Sequence, residues 1–250
     1  MADGFTCKVD GQYLSACKVS RGEDLPEYKD GYCVLHYPGY VPTQDVEAHE
    51  FAKFEKTLEE KREEFEKVRA SKLDCGDYDF SGTIFAEGTS AFKDFEFDAQ
   101  TNFAGAKFIG DVNFSGAKFS AEDTNFSAAQ FSSEWIYFEE AQFSSKQTYF
   151  LGAQFYGKQT RFWRAQFAGF VTHFSTAQFH SKLTNFAHAQ FHSSSTTAFT
   201  GVEFRSEETF FMEATFLAGW WTLPELPSRR EFPSGERKQR REELSGWERD

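Results

Sequence analysis

From about residue 78 the apolar positions follow a rhythm that is neither a strand's alternation nor a helix's 3.6-residue period. Phenylalanines come in pairs five residues apart, from Phe80/Phe85 through Phe126/Phe131 and Phe150/Phe155 to Phe211/Phe216, and successive pairs begin 11 to 13 residues apart. A small residue sits two before the second Phe (Ala117, Ala129, Ala141, Ala153), and threonine often sits two before the first (Thr124, Thr148, Thr160, Thr172). The consensus is T-x-F-x-x-A-x-F-x-x-x-x, in twelve copies over 78–216. In extended backbone, residues i and i+2 share a face, so Thr-x-Phe and Ala-x-Phe each aim two side chains inward with a corner between them. A short fixed period of this kind marks a solenoid. Upstream the rhythm changes to a helical one. Over 44–73, Phe51, Phe54, Leu58, Phe65, Val68 and Leu73 recur near helical spacing among Glu, Lys and Arg, which predicts an amphipathic helix capping the first coil. Residues 1–43 are a polar head rich in Gly, Tyr and Cys, and 217–250 hold Trp220–Trp221, three prolines and a charged tail. The Trp strip is expected to cover the far end of the solenoid.

Volume sets the coil length. Two Phe, one Ala and one Thr per 4.8 Å of rise need roughly 70 Å² of cross-section, whereas a closed loop of 12 extended residues encloses only about 40 Å². A coil of 24 residues needs about 140 Å² and encloses about 200 Å². The expectation is six coils in a rod about 29 Å long, each ring lying on the Phe 24 residues away.

Segments such as NFSGAKF, NFSAAQF and NFAHAQF, with a small inward residue, a spacer and a large Phe, resemble the pentapeptide-repeat proteins. The resemblance covers 78–216 and implies an all-β fold, a right-handed quadrilateral β-helix. The chain departs from the simple pattern in adding two residues after every second pentapeptide, which gives 5 + 7 in place of 5 + 5.

Composition adds charge and chemistry. Of 250 residues 32 are Phe, 24 of them in the twelve pairs, and the net charge is −12. The first hundred residues carry 12 basic and 22 acidic side chains, so the repeat itself is nearly neutral. An acidic balance argues against a nucleic-acid-binding surface, and no apolar run approaches the roughly 18 residues of a membrane span. The first residues lack a signal-peptide pattern, so a soluble, cytoplasmic, bacterial setting is expected. Some pentapeptide-repeat proteins act on DNA gyrase by mimicking duplex DNA. The resemblance therefore implies DNA mimicry as an alternative function, which the near-neutral repeat weakens.

The head carries the one constellation that resembles metal chemistry: Cys7, Cys17, Cys33 and His36, spaced C-x9-C-x15-C-x2-H. Three thiolates and an imidazole suit a tetrahedral structural Zn²⁺, and a segment with little core needs such a staple. It resembles the Cys-x-x-His heads that precede Phe-rich repeats in some bacterial pentapeptide-type proteins. Reduced cysteines without metal, or disulfides recruiting Cys75, are the other readings. His173, His180, His188 and His192 are expected as solvated side chains on different sides of the rod. With no phosphate loop, nucleophile elbow or acid/base set, the chain reads as a non-enzymatic interaction or scaffold module with a protein partner. Aromatic and Arg residues are enriched in interface cores, which selects Trp135, Tyr137, Tyr149, Tyr156, Arg161, Trp163, Arg164 and Phe170 as partner-binding candidates.

Overall fold

Each Thr-x-Phe and Ala-x-Phe segment forms a strand of only two or three residues, too short to stand unless it is paired on both sides. The computed structural model supplies that pairing by stacking the chain into a four-sided β-solenoid of about six coils. It describes residues 7–9, 11–18, 25–29, 32–37, 48–86, 88–217 and 220–222, with backbone alone for 48–60 and 220–222. One coil passes through Asp123–Asn125, Gln130–Phe131, Trp135–Tyr137 and Gln142–Phe143, the first to fourth faces. Then Gln147–Tyr149 lies parallel on Asp123–Asn125 and the cycle repeats. The four faces hold seven, six, five and six strands in that order. The two extra residues that break the 5 + 5 pattern fall at the corners entering the first and third faces. From the second coil on, those faces mostly carry the longer, three-residue strands.

Pairing is in register, so like stacks on like: Thr124, Thr148 and Thr172 in one row, Phe131, Phe155 and Phe179 in another. The core is four columns of six rings. In one column Phe126, Phe150 and Phe174 lie 4.9 and 4.8 Å apart, within 3° of parallel. Rings of neighbouring columns meet edge to face, as Phe138 and Phe150 do at 5.7 Å and 85°. Both geometries suit the aromatic quadrupole. The stacking offset is 22 residues for Phe92–Phe114, 24 through the middle and 25 for Phe174–Phe199, which bears out the two-repeat coil. The inner alanines leave room for these rings and are fully buried from Ala106 to Ala189.

The corner after the first Phe of each pair has a single backbone recipe. The residue two beyond that Phe has a positive φ, and the N–H of the next residue bonds back to the Phe carbonyl, as Ala106 does to Phe103 at 3.0 Å. This is the arrangement of a type II turn, and it explains Gly105, Gly116 and Gly152 at that position. Elsewhere the same φ is imposed on Ala128 (54°), Arg164 (55°) and Thr176 (57°). Each such residue costs about 1–2 kcal/mol relative to glycine, which the ladder overrides.

The threonines point inward, as expected from their spacing, and Thr124, Thr160, Thr172 and Thr184 each find a serine hydroxyl. Thr124–Ser145, Thr160–Ser181 and Thr172–Ser193 are hydroxyl pairs at 2.7, 2.6 and 2.8 Å. The row is interrupted at Thr148, whose buried Oγ1 has no partner because Gly169 occupies the corresponding corner.

At the N-terminal end the helix Ala48–Asp74 (α1) packs Phe65 against Phe85 at 5.4 Å, edge to face, with Val68 also buried. The side chains of Phe51, Phe54 and Leu58 lie outside the described residues. At the other end Trp220–Thr222 adds a strand to the first face on Thr196–Ala198; the tail from 223 lies outside the described residues. Among the described residues no helix is long and apolar enough to cross a membrane.

The broken hydroxyl row gives a paired test. Thr160→Val strands the Ser181 hydroxyl and is expected to cost about 1–3 kcal/mol of unfolding free energy, while Thr148→Val removes an orphan and leaves stability unchanged or raised. Denaturant unfolding of both variants checks this, and equal losses would contradict the assigned pairs.

Candidate metal centre and the aromatic face

The head is built from three short pieces with little regular structure. A 3-10 helix Gly11–Cys17 ends on one thiol, and a tight turn over residues 33–36 places Cys33 and His36 on one side, its closure marked by Tyr37 N–H donating to Cys33 O at 3.0 Å. Cys7 is held against this turn by the Cys33 N–H, which donates to its Sγ at 3.3 Å. The three sulfurs and the imidazole are all buried, and their ligand atoms lie within 4.8 Å of one another. From His36 Nδ1 the distances are 3.7 Å to Cys7 Sγ, 3.1 Å to Cys17 Sγ and 3.2 Å to Cys33 Sγ, with Cys17 and Cys33 3.6 Å apart. Tetrahedral bonds of about 2.3 Å to sulfur and 2.0 Å to nitrogen would set such atoms about 3.6–3.8 Å apart, so little rearrangement is needed to enclose an ion.

The imidazole orientation is fixed from outside. His36 Nε2 lies 2.9 Å from the Ser81 carbonyl, an acceptor only, so Nε2 carries the proton and Nδ1 turns its lone pair to the sulfurs. This is the outer hydrogen bond that a ligating histidine usually makes. The contact with Cys17 lowers Cys33 to about 4, while the same contact and burial push Cys17 up; burial also raises Cys7. No two cysteine sulfurs are bonded to each other, and Cys75, which a disulfide reading would recruit, is exposed with its Sγ on the Lys72 carbonyl. The four predicted ligands therefore come together as a possible metal site, closed by four protein atoms and without an open position.

Two features of the surroundings were not visible in the sequence pattern. Lys61 and Lys72 of α1 are buried lysines. Lys61 Nζ donates to the carbonyls of Tyr37 (2.6 Å) and Ile84 (3.3 Å), and Lys72 Nζ to Lys18 O (3.0 Å) and Asp77 Oδ2 (2.5 Å). Burial draws Lys61 down to about 8, opposed by the negative charge of Cys33. Tyr13 lies across the first corners of the rod. A Cβ on Gly82 would come within 2.7 Å of its ring, and one on Gly105 within 2.1 Å of its hydroxyl. Both glycines also have positive φ, so two demands select them at once.

The partner-binding candidates divide by face. Trp135, Tyr137 and Arg161 share the third face, where the Arg161 guanidinium lies 5.8 and 5.6 Å from the two ring centroids. Glu139 and Gln159 hold it at 3.2 and 2.7 Å. Trp163 and Arg164 follow at the next corner, with the guanidinium 4.3 Å over the indole. A shallow depression there is lined by Glu139, Gln159, Arg161, Trp163, Leu183 and Asn185. Tyr149 stands on the first face against His173, Tyr156 stacks on His180 beyond the second face, and Phe170 is exposed where the fourth face turns into the first. Five of the eight candidates are thus contiguous and three are not. The four histidines are separated likewise: His188 meets Glu213 at 3.2 Å and His192 meets Thr215 at 3.0 Å.

The chain matches no protein-family model, no curated protein and no solved structure. The stacked coils and regular Phe ladder define a pentapeptide-repeat-like β-solenoid, a statement about fold alone.

Lys61 offers a pH test with a definite sign. Its folded value near 8 lies below the unfolded 10.5, so from pH 8 to 10.5 the unfolded chain binds the extra proton and stability rises with pH. The unfolding free energy of wild type relative to Lys61→Met should therefore move in the wild type's favour across that window. A flat difference in denaturant unfolding would show Lys61 to be solvated.

Proposed function

We propose that the chain is a non-enzymatic protein-interaction module of the pentapeptide-repeat type, whose rod displays the third face and whose head is stapled by a structural zinc ion. The observation that carries the interaction reading is Arg161 held by Glu139 and Gln159 over Trp135 and Tyr137, with Trp163 and Arg164 beside it. Rigid aromatic and guanidinium groups lose little entropy on binding, and such residues dominate interface energetics. The interior supports the same reading, because the rings and alanines fill the coils and leave outward side chains to do the work.

DNA mimicry stands second. Glu122, Glu134, Glu139 and Glu140 on the middle coils are met by Lys146, Lys158, Arg161 and Arg164 from the following coil, at 2.5, 2.6, 3.2 and 3.7 Å. That pattern neutralises the acidic stripe a duplex mimic would need.

For the head, three thiolates and one imidazole in a closed tetrahedral set favour zinc over harder ions, which prefer oxygen. A Zn²⁺ with three thiolates carries a net charge of −1, and the buried Lys61 supplies a nearby counter-charge.

Both readings have direct checks. Purified chain should hold about one zinc by mass spectrometry, lose it in Cys17→Ser and keep it in Cys75→Ser; a metal-free wild type with intact fold would refute the staple. Affinity capture with wild-type rod should retain a protein that Trp163→Ala and Arg164→Ala bind about 10-fold more weakly and Tyr149→Ala binds normally. Unchanged capture by the first two would remove the third face as the contact.

A further inference from the structure

The residues around the metal centre do two jobs with the same atoms. The segment ending in Cys17 contacts the rod through Tyr13, packed on Gly82 and Gly105, and contacts α1 through Lys18 O, which accepts from Lys72 at 3.0 Å. The segment carrying Cys33 and His36 contacts the rod through Leu35 O, which accepts the Ile84 N–H at 2.9 Å, and through His36 Nε2 on Ser81 O. It contacts α1 through Tyr37 O, which accepts from Lys61 at 2.6 Å. Lys61 and Lys72 are eleven residues apart, three helical turns, so one face of α1 grips the carbonyl immediately after Cys17 and the one immediately after His36.

These two gripped segments meet each other at three of the ligand atoms, Cys17 Sγ, Cys33 Sγ and His36 Nδ1, and the piece carrying Cys7 supplies the fourth. The head buries few apolar side chains of its own, chiefly Ala16, Leu25, Val34, Leu35 and Tyr37, too few to offset the entropy of ordering separate loops. Ile84 begins the first strand of the second face, and Leu35 supplies its hydrogen-bond partner on the side with no preceding coil. We infer that the metal centre is a latch. With the ion in place the head stays docked and closes the edge of Ile84–Phe85. Without it the head leaves, and the edge strand and the Phe80–Phe85 end of the ring columns open to strand addition. Metal supply would thus control whether the first coil is available for pairing. This rests on the zinc reading.

Hydrogen exchange on the full chain tests it, with zinc-loaded protein compared before and after chelation and metal content measured in both. The Ile84 amide should exchange about 100-fold faster or more once the ion is removed and recover when zinc is restored. The amides of Gln154 and Gln178, bonded to Ala129 and Ala153 carbonyls within the rod, should not change. If zinc leaves and Ile84 stays protected, the latch is wrong and the zinc reading survives. If all three amides lose protection together, the ion supports the whole fold and the latch is again wrong. A chain that never takes up zinc overturns both. Coupling is reciprocal, so Gly105→Ala, which obstructs Tyr13 without touching a ligand, should weaken zinc about 10-fold in a competition titration. Unchanged affinity with the Ile84 amide exposed would refute the coupling.

Discussion

The rise of one β-coil, about 4.8 Å, is also a comfortable offset-stacking distance for aromatic rings. Everything else in the rod follows from that coincidence. Because successive coils pair in register, a side chain aimed inward meets its own kind from the coils above and below. A branched aliphatic residue in such a column would collide with itself or leave gaps. A flat ring repeats without either, and the columns measure 4.6 to 5.1 Å through the middle and C-terminal coils. The same constraint explains the alanines, which make room where two columns meet edge to face, and the buried Thr–Ser pairs, which satisfy each other's hydroxyls between coils. It also explains why the ladder can impose a left-handed φ on Thr176 and Arg164. The ring contacts on both sides fix the corner more firmly than the local backbone resists it.

A structure that grows by stacking has no natural end. The first coil presents unpaired backbone and the faces of Phe80 and Phe85, and a single amphipathic helix cannot satisfy both. The division of labour is visible: α1 brings Phe65 and Val68 to the rings, while the head brings Leu35 O to Ile84 N–H. Two buried lysines tie the parts together through neutral carbonyls on either side of the Cys/His cluster. Lys72 is further steadied by Asp77 and by the Phe80 ring, 5.7 Å from its ammonium.

Much of this was legible in the amino-acid order, and the unreadable remainder has identifiable causes. The Phe pairs gave the solenoid, and a volume argument gave the two-repeat coil, because both depend on side-chain size and period alone. The Cys/His cluster could be named because Cys and His are rare and C-x2-H fits one turn. The cap could not be divided correctly, since the sequence shows an amphipathic helix but not which backbone edge lies beneath it. Lys61 and Lys72 looked like ordinary charges on a Glu/Lys-rich helix, and their spacing of three turns has meaning only once two carbonyls are known to lie opposite. Tyr13 left no pattern at all. The left-handed corner did leave one, in Gly82, Gly105, Gly116, Gly152 and Gly201 at a fixed place in the repeat, but seven other residues at the same position diluted it. The aromatic candidates from Trp135 to Phe170 were chosen by proximity in sequence. Three of them fell away from the others because twelve residues carry the chain half-way round the coil.

That last point constrains how such a rod acquires function. Inward positions are committed to ring, alanine and hydroxyl, and a change there propagates along a column. Outward positions have no such neighbours except the residue one coil away, so they vary freely and a binding surface must be assembled from residues about 24 apart. The third face shows such an assembly: Tyr137 and Arg161 are register partners, and Glu139 and Trp163 follow them at the next corner. A charge at one coil is then answered at the next, as Glu140 is by Arg164. A partner that reads this surface must span at least two coils along the rod axis, which favours an extended or flat protein surface over a small molecule held in a pocket.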